Sequence, residues 1–114
     1  MWIAMLDGFF SVVEFAEDST KVVVRARVRE DLVALRRWVP TLGRIYAGKG
    51  TDYPFRCFVP KTEFAQGLAA AVTEGLTYTN FKRASGERDP RRGHLLAEAW
   101  AVFRRLEEFG ERQR

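Results

Sequence analysis

The amino-acid sequence predicts an α+β protein in which helices pack on a mostly antiparallel sheet of about five strands, in the order β-β-β-α-β-β-α-α. Two observations predict this class. Turn-forming residues separate short apolar runs in the first part of the chain, which is typical of hairpins. Later, apolar residues recur at the spacing of an amphipathic helix. Strands joined by hairpins are antiparallel, and such a sheet buries one face under helices.

The first three strands form a predicted meander. Residues 2–6 and 9–15 are apolar and flank Asp7-Gly8, a pair typical of a type I′ turn with positive φ at both residues. A polar turn at 17–20 then returns the chain into a strand over 22–28. Because these connections are short, we expect the three strands to lie side by side.

The third strand carries the most informative pattern in the chain. From Val24 to Arg29, small apolar residues alternate with arginine. Successive side chains of a strand point to opposite faces of the sheet. The segment is therefore predicted to have one buried apolar face and one face with three neighbouring guanidinium groups, those of Arg25, Arg27 and Arg29.

The rest of the chain is predicted to contain helices, one further hairpin and a charged loop. The elements that follow the third strand are a helix over 30–39, hairpin arms at 44–47 and 53–59, and a helix over 62–74. The polar segment 82–93 is interpreted as a surface loop, with Asp89-Pro90 typical of a helix start. The last helix runs to about Phe109. We expect a single domain over 1–110 and a frayed tail over 111–114.

The composition favours a folded cytoplasmic protein. Apolar residues make up 46% of the chain, and the net charge is +4 with a pI of about 9.6. The apolar opening has no basic leader and is interrupted at Asp7, so we expect no secretory signal. No apolar run approaches the length of a membrane span, and we expect no membrane partner. A lone cysteine, Cys57, fits a reducing compartment.

Arginine supplies 15 of the 19 basic residues. Its guanidinium group binds phosphate and carboxylate through paired hydrogen bonds, so this bias fits nucleic acid or an acidic protein as the partner. A GC-rich genome would enrich the same residue. The scarcity of amide and thiol side chains is also typical of heat-adapted proteins. Composition alone leaves these explanations open.

Residues for metal or nucleophilic chemistry are scarce. His94 is the only histidine and Cys57 the only cysteine, whereas zinc sites need several such ligands, so we expect no metal and no cofactor. Cys57 shares its strand face with Phe55 and Val59, which predicts a core residue. No catalytic residue is assigned. The enzyme hypothesis that stays open is a metal-independent ribonuclease with His94 as general base.

A combination of short segments distinguishes this chain. They are Met1-Trp2, Gly8-Phe9-Phe10-Ser11-Val12-Val13, Val24-Arg25-Ala26-Arg27, Asp52-Tyr53-Pro54-Phe55-Arg56 and Tyr78-Thr79-Asn80-Phe81-Lys82, with His94 and Trp100 on the last helix. Together they resemble an uncharacterised family of small bacterial and phage proteins. The resemblance implies a shared fold but no activity, cofactor or catalytic residue. It also implies one candidate surface, formed by Arg25, Arg27, Asp52, Tyr53, Arg56, Tyr78, Asn80, Phe81 and Lys82.

The leading hypothesis is a non-enzymatic protein that binds nucleic acid or an acidic protein through its basic strand and charged loop. Arginines would contact phosphates, and aromatic rings would stack or pack, with Phe10 and Tyr46 as further candidates for stacking. A homodimeric adaptor is the alternative, because both faces of strand 9–15 carry large apolar groups, with Phe10 and Val12 on one of them. The predicted site consists of Arg25, Arg27, Arg29, Tyr53, Arg56, Tyr78, Phe81, Lys82, Arg91 and Arg92.

Overall fold

The computed structural model describes residues 1–112 and confirms the α+β class. The chain divides into two compact units, Met1–Thr77 and a helical unit that begins at Tyr78. Within the described residues, no helix is both long and apolar enough to cross a membrane.

The first unit contains the antiparallel sheet and two helices. The sheet has five strands in the order β1-β2-β3-β5-β4. Along the chain, the elements of this unit are β1 (Trp2–Met5), β2 (Gly8–Phe15), β3 (Asp18–Ala26), α1 (Arg29–Leu35), β4 (Tyr46–Ala47), β5 (Phe55–Pro60) and α2 (Lys61–Gly75). The predicted meander is β1, β2 and β3, and the second predicted hairpin is β4 with β5.

One face of the sheet forms the hydrophobic core with α1 and α2. The apolar residues of β3, including Val24 and Ala26, lie on this face, as the alternation predicts. Phe10 is 1% exposed and Val12 6%, so both are core residues. Phe10 is therefore not available for stacking, and the predicted dimer patch at Phe10 and Val12 is wrong. The other members of the core are Val22, Leu32, Leu35, Val39, Leu42, Cys57, Val59 and Phe64.

Cys57 is fully buried in this core, which confirms its predicted position. Burial raises the pKa of its thiol, against a smaller lowering by the charges of Arg36 and Arg29. A thiol held in its neutral form by an apolar environment is a poor nucleophile.

The Cys57 thiol predicts a pH-dependent stability. Because the folded state holds the thiol proton more tightly than the unfolded chain, the free energy of unfolding should fall as the pH rises above about 8.5, by at most about 1.4 kcal/mol per pH unit. Urea denaturation of the wild type and of Cys57→Ala from about pH 7 to about pH 10 tests this expectation. The variant should lack this component of the pH dependence. Equal slopes in the two proteins would contradict it.

The first hairpin turns at a different place from the predicted one. Met5 pairs with Gly8, so the loop residues are Leu6 and Asp7. Neither Asp7 nor Gly8 has a positive φ, so the predicted type I′ turn at that pair is wrong. The reason lies in packing, because a β-carbon on Gly8 would lie 2.5 Å from Asp31 Cγ. Gly8 is a strand residue whose missing side chain makes room for a buried carboxylate.

The arginine-bearing strand begins and ends earlier than predicted. β3 ends at Ala26, and α1 begins at Arg29. Asp31, in the first turn of α1, accepts a hydrogen bond from the Phe9 N–H at 3.1 Å, which holds the helix start against β2. Acidic residues are also favoured in the first turn of a helix. Arg27 therefore lies just after the strand and Arg29 belongs to a helix, so the prediction of three arginines on one strand is wrong for these two residues.

The second unit contains the helices α3 (Phe81–Arg88), α4 (Pro90–Phe103) and α5 (Leu106–Arg112). The predicted loop over 82–93 is wrong, because most of this segment is helical. The side-chain oxygens of Asn80 and Asp89 accept backbone N–H groups and cap α3 and α4. The helix start at Asp89-Pro90 is confirmed.

Glycines allow α3 and α4 to approach closely. A β-carbon on Gly93 would lie 2.5 Å from Gly86 Cα. The predicted last helix is interrupted by a turn at Arg104 and Arg105, and α5 then extends to Arg112. Of the predicted tail, 113–114 lies outside the described residues.

Candidate functional site

One row of residues crosses the sheet on its second face, the face opposite the core. In register, Trp2 lies opposite Ser11, Ser11 opposite Arg25, and Arg25 opposite Arg56. Arg56 in turn lies opposite Tyr46 on the last strand of the sheet. Directly opposite residues share a face of the sheet. This cross-strand row therefore has an aromatic residue at each end and two arginines near its middle.

Aromatic rings flank the cross-strand row on the second face. Trp2 meets Phe9 edge to face, with ring centroids 5.8 Å apart. Toward the other end, the Phe58 ring lies 4.8 Å from Phe15 and 5.8 Å from Tyr46, centroid to centroid. Trp2 is 63% exposed and Tyr46 47% exposed. Each end of the row thus presents an aromatic ring to solvent.

A pocket of about 350 Å³ lies at the arginines of the row. β3 supplies Arg25, β5 supplies Arg56, and the β4–β5 loop supplies 51–53. We call this the arginine pocket. It brings together four of the predicted site residues, and its complete lining is Trp2, Ser11, Arg25, Arg27, Thr51, Asp52, Tyr53 and Arg56.

Tyr53 is a packing partner for two of these arginines. The guanidinium carbon of Arg25 lies 5.1 Å from the ring centroid of Tyr53, and that of Arg27 lies 4.8 Å from it. Arg27 Nη1 also donates a hydrogen bond to the backbone oxygen of Asp52 at 3.1 Å. Tyr53 is only 7% exposed. Its ring therefore orients the arginines through cation–π contacts and is not available for stacking on a ligand.

The pocket arginines carry charge that no ion pair balances. Arg25 Nη2 donates to Ser11 Oγ at 2.7 Å, while the buried Arg25 Nε has no hydrogen-bond partner among the described residues. Arg56 lies directly opposite Arg25, and like charges so arranged lower the stability of a sheet. Within residues 1–112, none of Arg25, Arg27 and Arg56 forms an ion pair with a carboxylate. The pocket is therefore suited to an anion.

The remaining predicted residues lie elsewhere in the chain. Arg29 is exposed at the start of α1, and its charge only partly offsets the burial that raises the pKa of Cys57, whose side chain belongs to the core face. In the second unit, Lys82 Nζ lies 3.8 Å from the centroid of the Trp100 ring. The predicted residues that belong to this second unit are Tyr78, Phe81, Lys82, Arg91 and Arg92.

A second pocket, of about 440 Å³, lies within the second unit. Asn80, Lys82, Arg83 and His94 are among its lining residues. His94 is exposed and forms no hydrogen bond with another described residue. The ribonuclease hypothesis stays a prediction.

The first 112 residues contain no group of three or more His, Cys, Asp or Glu side chains that could hold a metal ion.

No protein-family model matches the chain, and comparisons with curated proteins and with solved structures give no significant match. The resemblance to small bacterial and phage proteins stays an expectation.

Trp2, Ser11 and Phe58 belong to the second face, although they are not among the predicted site residues. Part of the signal was available, because the odd-numbered residues of 9–15 share one face and hairpin pairing brings Trp2 beside Ser11. The sequence does not predict the pairing of β3 with β5, since α1 and β4 separate these two strands along the chain. That pairing is what sets Arg56 opposite Arg25.

Proposed function

We propose that this protein binds single-stranded nucleic acid on the second face of its sheet. The observation that carries the proposal is the cross-strand row, in which Arg25 and Arg56, without carboxylate partners, lie between the exposed rings of Trp2 and Tyr46. Guanidinium groups bind phosphate through paired hydrogen bonds, and exposed aromatic rings stack on unpaired bases. Both kinds of group occur in one row.

The dimensions of the row support a short stretch of extended strand as the ligand. Four inter-strand steps of ~4.8 Å separate β1 from β4, so Trp2 and Tyr46 are about 19 Å apart. A few nucleotides cover this distance, with bases against the end rings and phosphates near the arginines. An intact duplex offers base edges rather than base faces, so this arrangement favours single strands.

The aromatic rings also favour nucleic acid over an acidic protein segment. A carboxylate-rich peptide would use the arginines but gain little from the exposed rings. Bases, in contrast, stack on aromatic side chains at about 1–3 kcal/mol each. The rings that would serve this purpose on the second face are Trp2, Phe9, Phe15, Tyr46 and Phe58.

Fluorescence anisotropy over a series of salt concentrations tests the proposal. Single-stranded RNA and DNA of equal length are compared with a duplex of the same sequence and with a polyglutamate peptide. We expect single strands to bind best, with an affinity that falls as the salt concentration rises, because phosphate contacts release counterions. Absent or salt-insensitive binding of both single strands would overturn the proposal. So would tighter binding of the acidic peptide than of either strand.

A feature of the second unit supports self-association as a second role. Large apolar side chains of α4 and α5 are more than half exposed, among them Leu95, Val102, Leu106 and Phe109. Leu95 and Val102 lie seven residues apart on α4, which is the spacing of a coiled-coil seam, and Phe109 follows on α5. Contiguous exposed apolar surface of this kind marks interaction sites.

The Val102→Glu variant tests this second role. Buried at a helix–helix seam, the new carboxylate would be desolvated, so we expect the assembly to dissociate. Sedimentation equilibrium should give the wild type a mass above the 13.1 kDa of one chain at high concentration, and Val102→Glu the mass of one chain. Ala101→Glu, an exposed neighbour outside the seven-residue repeat, is the matched control. A wild type that stays at the mass of one chain excludes this role.

A further inference from the structure

The arginine pocket concentrates charge at one place. Arginines spaced along a single strand would each meet a different phosphodiester. Here, Arg25 and Arg27 pack on the same Tyr53 ring, and Arg56 lies opposite Arg25 on the next strand. Three guanidinium groups therefore line one pocket.

We infer that the arginine pocket binds the terminal phosphate monoester of a nucleic-acid strand, an inference that rests on the proposed function. A phosphate monoester carries a charge of about −1.5 to −2 at pH 7 and three strong acceptor oxygens. A backbone phosphodiester carries a single negative charge. Several unpaired guanidinium groups in one partly buried pocket match the more concentrated charge, because each oxygen can accept from a different arginine.

Ser11 fixes the position of Arg25 at the pocket. The Ser11 side chain is 1% exposed, and its Oγ accepts from Arg25 Nη2 at 2.7 Å. The Arg25 Nε–H is also buried and has no partner within the described residues. Trp2 lines the same pocket and keeps most of its surface exposed. A terminal nucleotide would therefore have its phosphate at the arginines and its base against the Trp2 ring.

Asp52 places a negative charge at the arginine pocket. Among the residues that line the pocket, it alone carries a carboxylate, and only its backbone oxygen accepts from Arg27. A carboxylate repels a dianion more strongly than a monoanion. Asp52→Asn should thus tighten the binding of a phosphorylated end more than the binding of a hydroxyl end.

Four internally labelled oligonucleotides test the inference. Three share one sequence and carry hydroxyl groups at both ends, a 5′-phosphate or a 3′-phosphate. The fourth is one nucleotide longer with hydroxyl ends, so that it adds one phosphodiester instead of a monoester. We expect either the 5′-phosphorylated or the 3′-phosphorylated strand to bind at least about tenfold more tightly than both hydroxyl-ended strands. Arg56→Gln should lose this preference, and Asp52→Asn should increase it.

The outcomes separate this inference from the proposed function. Equal binding of all four strands overturns the terminal-phosphate assignment and leaves single-strand binding in place. Binding of none of them removes the proposed function as well. Nucleoside monophosphates and inorganic phosphate are then added as competitors. Stronger competition by a nucleoside monophosphate supports a terminal nucleotide, and equal competition by inorganic phosphate overturns the role of Trp2.

Discussion

The Arg56→Gln variant is expected to bind single-stranded nucleic acid roughly ten- to a hundredfold more weakly than the wild type, because it loses a charge-assisted hydrogen bond to phosphate. The same substitution is expected to raise the free energy of unfolding, by up to about 1 kcal/mol at low salt. Arg56 lies directly opposite Arg25, and no carboxylate pairs with either residue. A residue kept for binding at a cost in stability gives this opposite pair of effects.

Anisotropy and urea denaturation measure the two effects on the same protein samples. Arg105→Gln is the matched control, because it removes the same charge from an exposed arginine of the second unit. The control should leave both affinity and stability nearly unchanged. The stability gain of Arg56→Gln should shrink in high salt, which screens repulsion between the two arginines. A variant that binds normally, or that is less stable than the wild type at low salt, would contradict this account of Arg56.

Replacing Gly67 with alanine is expected to destabilise the first unit by about 1–3 kcal/mol. A β-carbon at this position of α2 would lie 2.4 Å from Val39 Cγ2 and 2.8 Å from the backbone oxygen of Trp38. Neither neighbour can move freely, since Val39 is fully buried and Trp38 Nε1 donates to Asp7 Oδ2 at 2.8 Å. This crowding should outweigh the gain of about 1 kcal/mol that alanine brings to a helix interior.

Thermal unfolding followed by circular dichroism measures the effect of Gly67→Ala. A loss of 1 kcal/mol should lower Tm by about 4–8 °C in a domain of this size. Gly48→Ala is the control, because no atom lies within 4 Å of the β-carbon that it would add. A Gly67→Ala protein as stable as the wild type would show that α2 does not pack this closely on Val39 and Trp38.

Local patterns predicted the core side of the sheet well. The alternation in β3 put Val24 and Ala26 in the core, and the shared face with Val59 put Cys57 there too. Such predictions succeed because side-chain direction in a strand follows from local geometry alone. Local geometry does not predict the candidate site. Arg25, Arg27, Tyr53 and Arg56 come together only through the pairing of β3 with β5 and the packing of the β4–β5 loop, which are non-local.

The errors have identifiable physical causes. Asp7-Gly8 has the composition of a type I′ turn, but Gly8 is selected for the space that Asp31 needs. The alternation of apolar residues and arginine does not show where β3 ends. Asp31 accepts a hydrogen bond from the Phe9 N–H, and α1 begins before the alternation ends. The sequence of α3 is strongly polar, so it lacks the apolar spacing that predicts a helix, although Asn80 is a typical helix-capping residue.

An NMR titration of the 15N-labelled protein with a short single-stranded oligonucleotide tests the central claim most directly. We expect the indole N–H signal of Trp2 and the signals of Ser11, Arg25 and Arg56 to shift at low salt and to return at high salt. The indole N–H of Trp38, bonded to Asp7 on a different part of the first unit, should stay in place. Shifts confined to residues beyond Thr77, or no shifts along the cross-strand row, would contradict binding on the second face of the sheet.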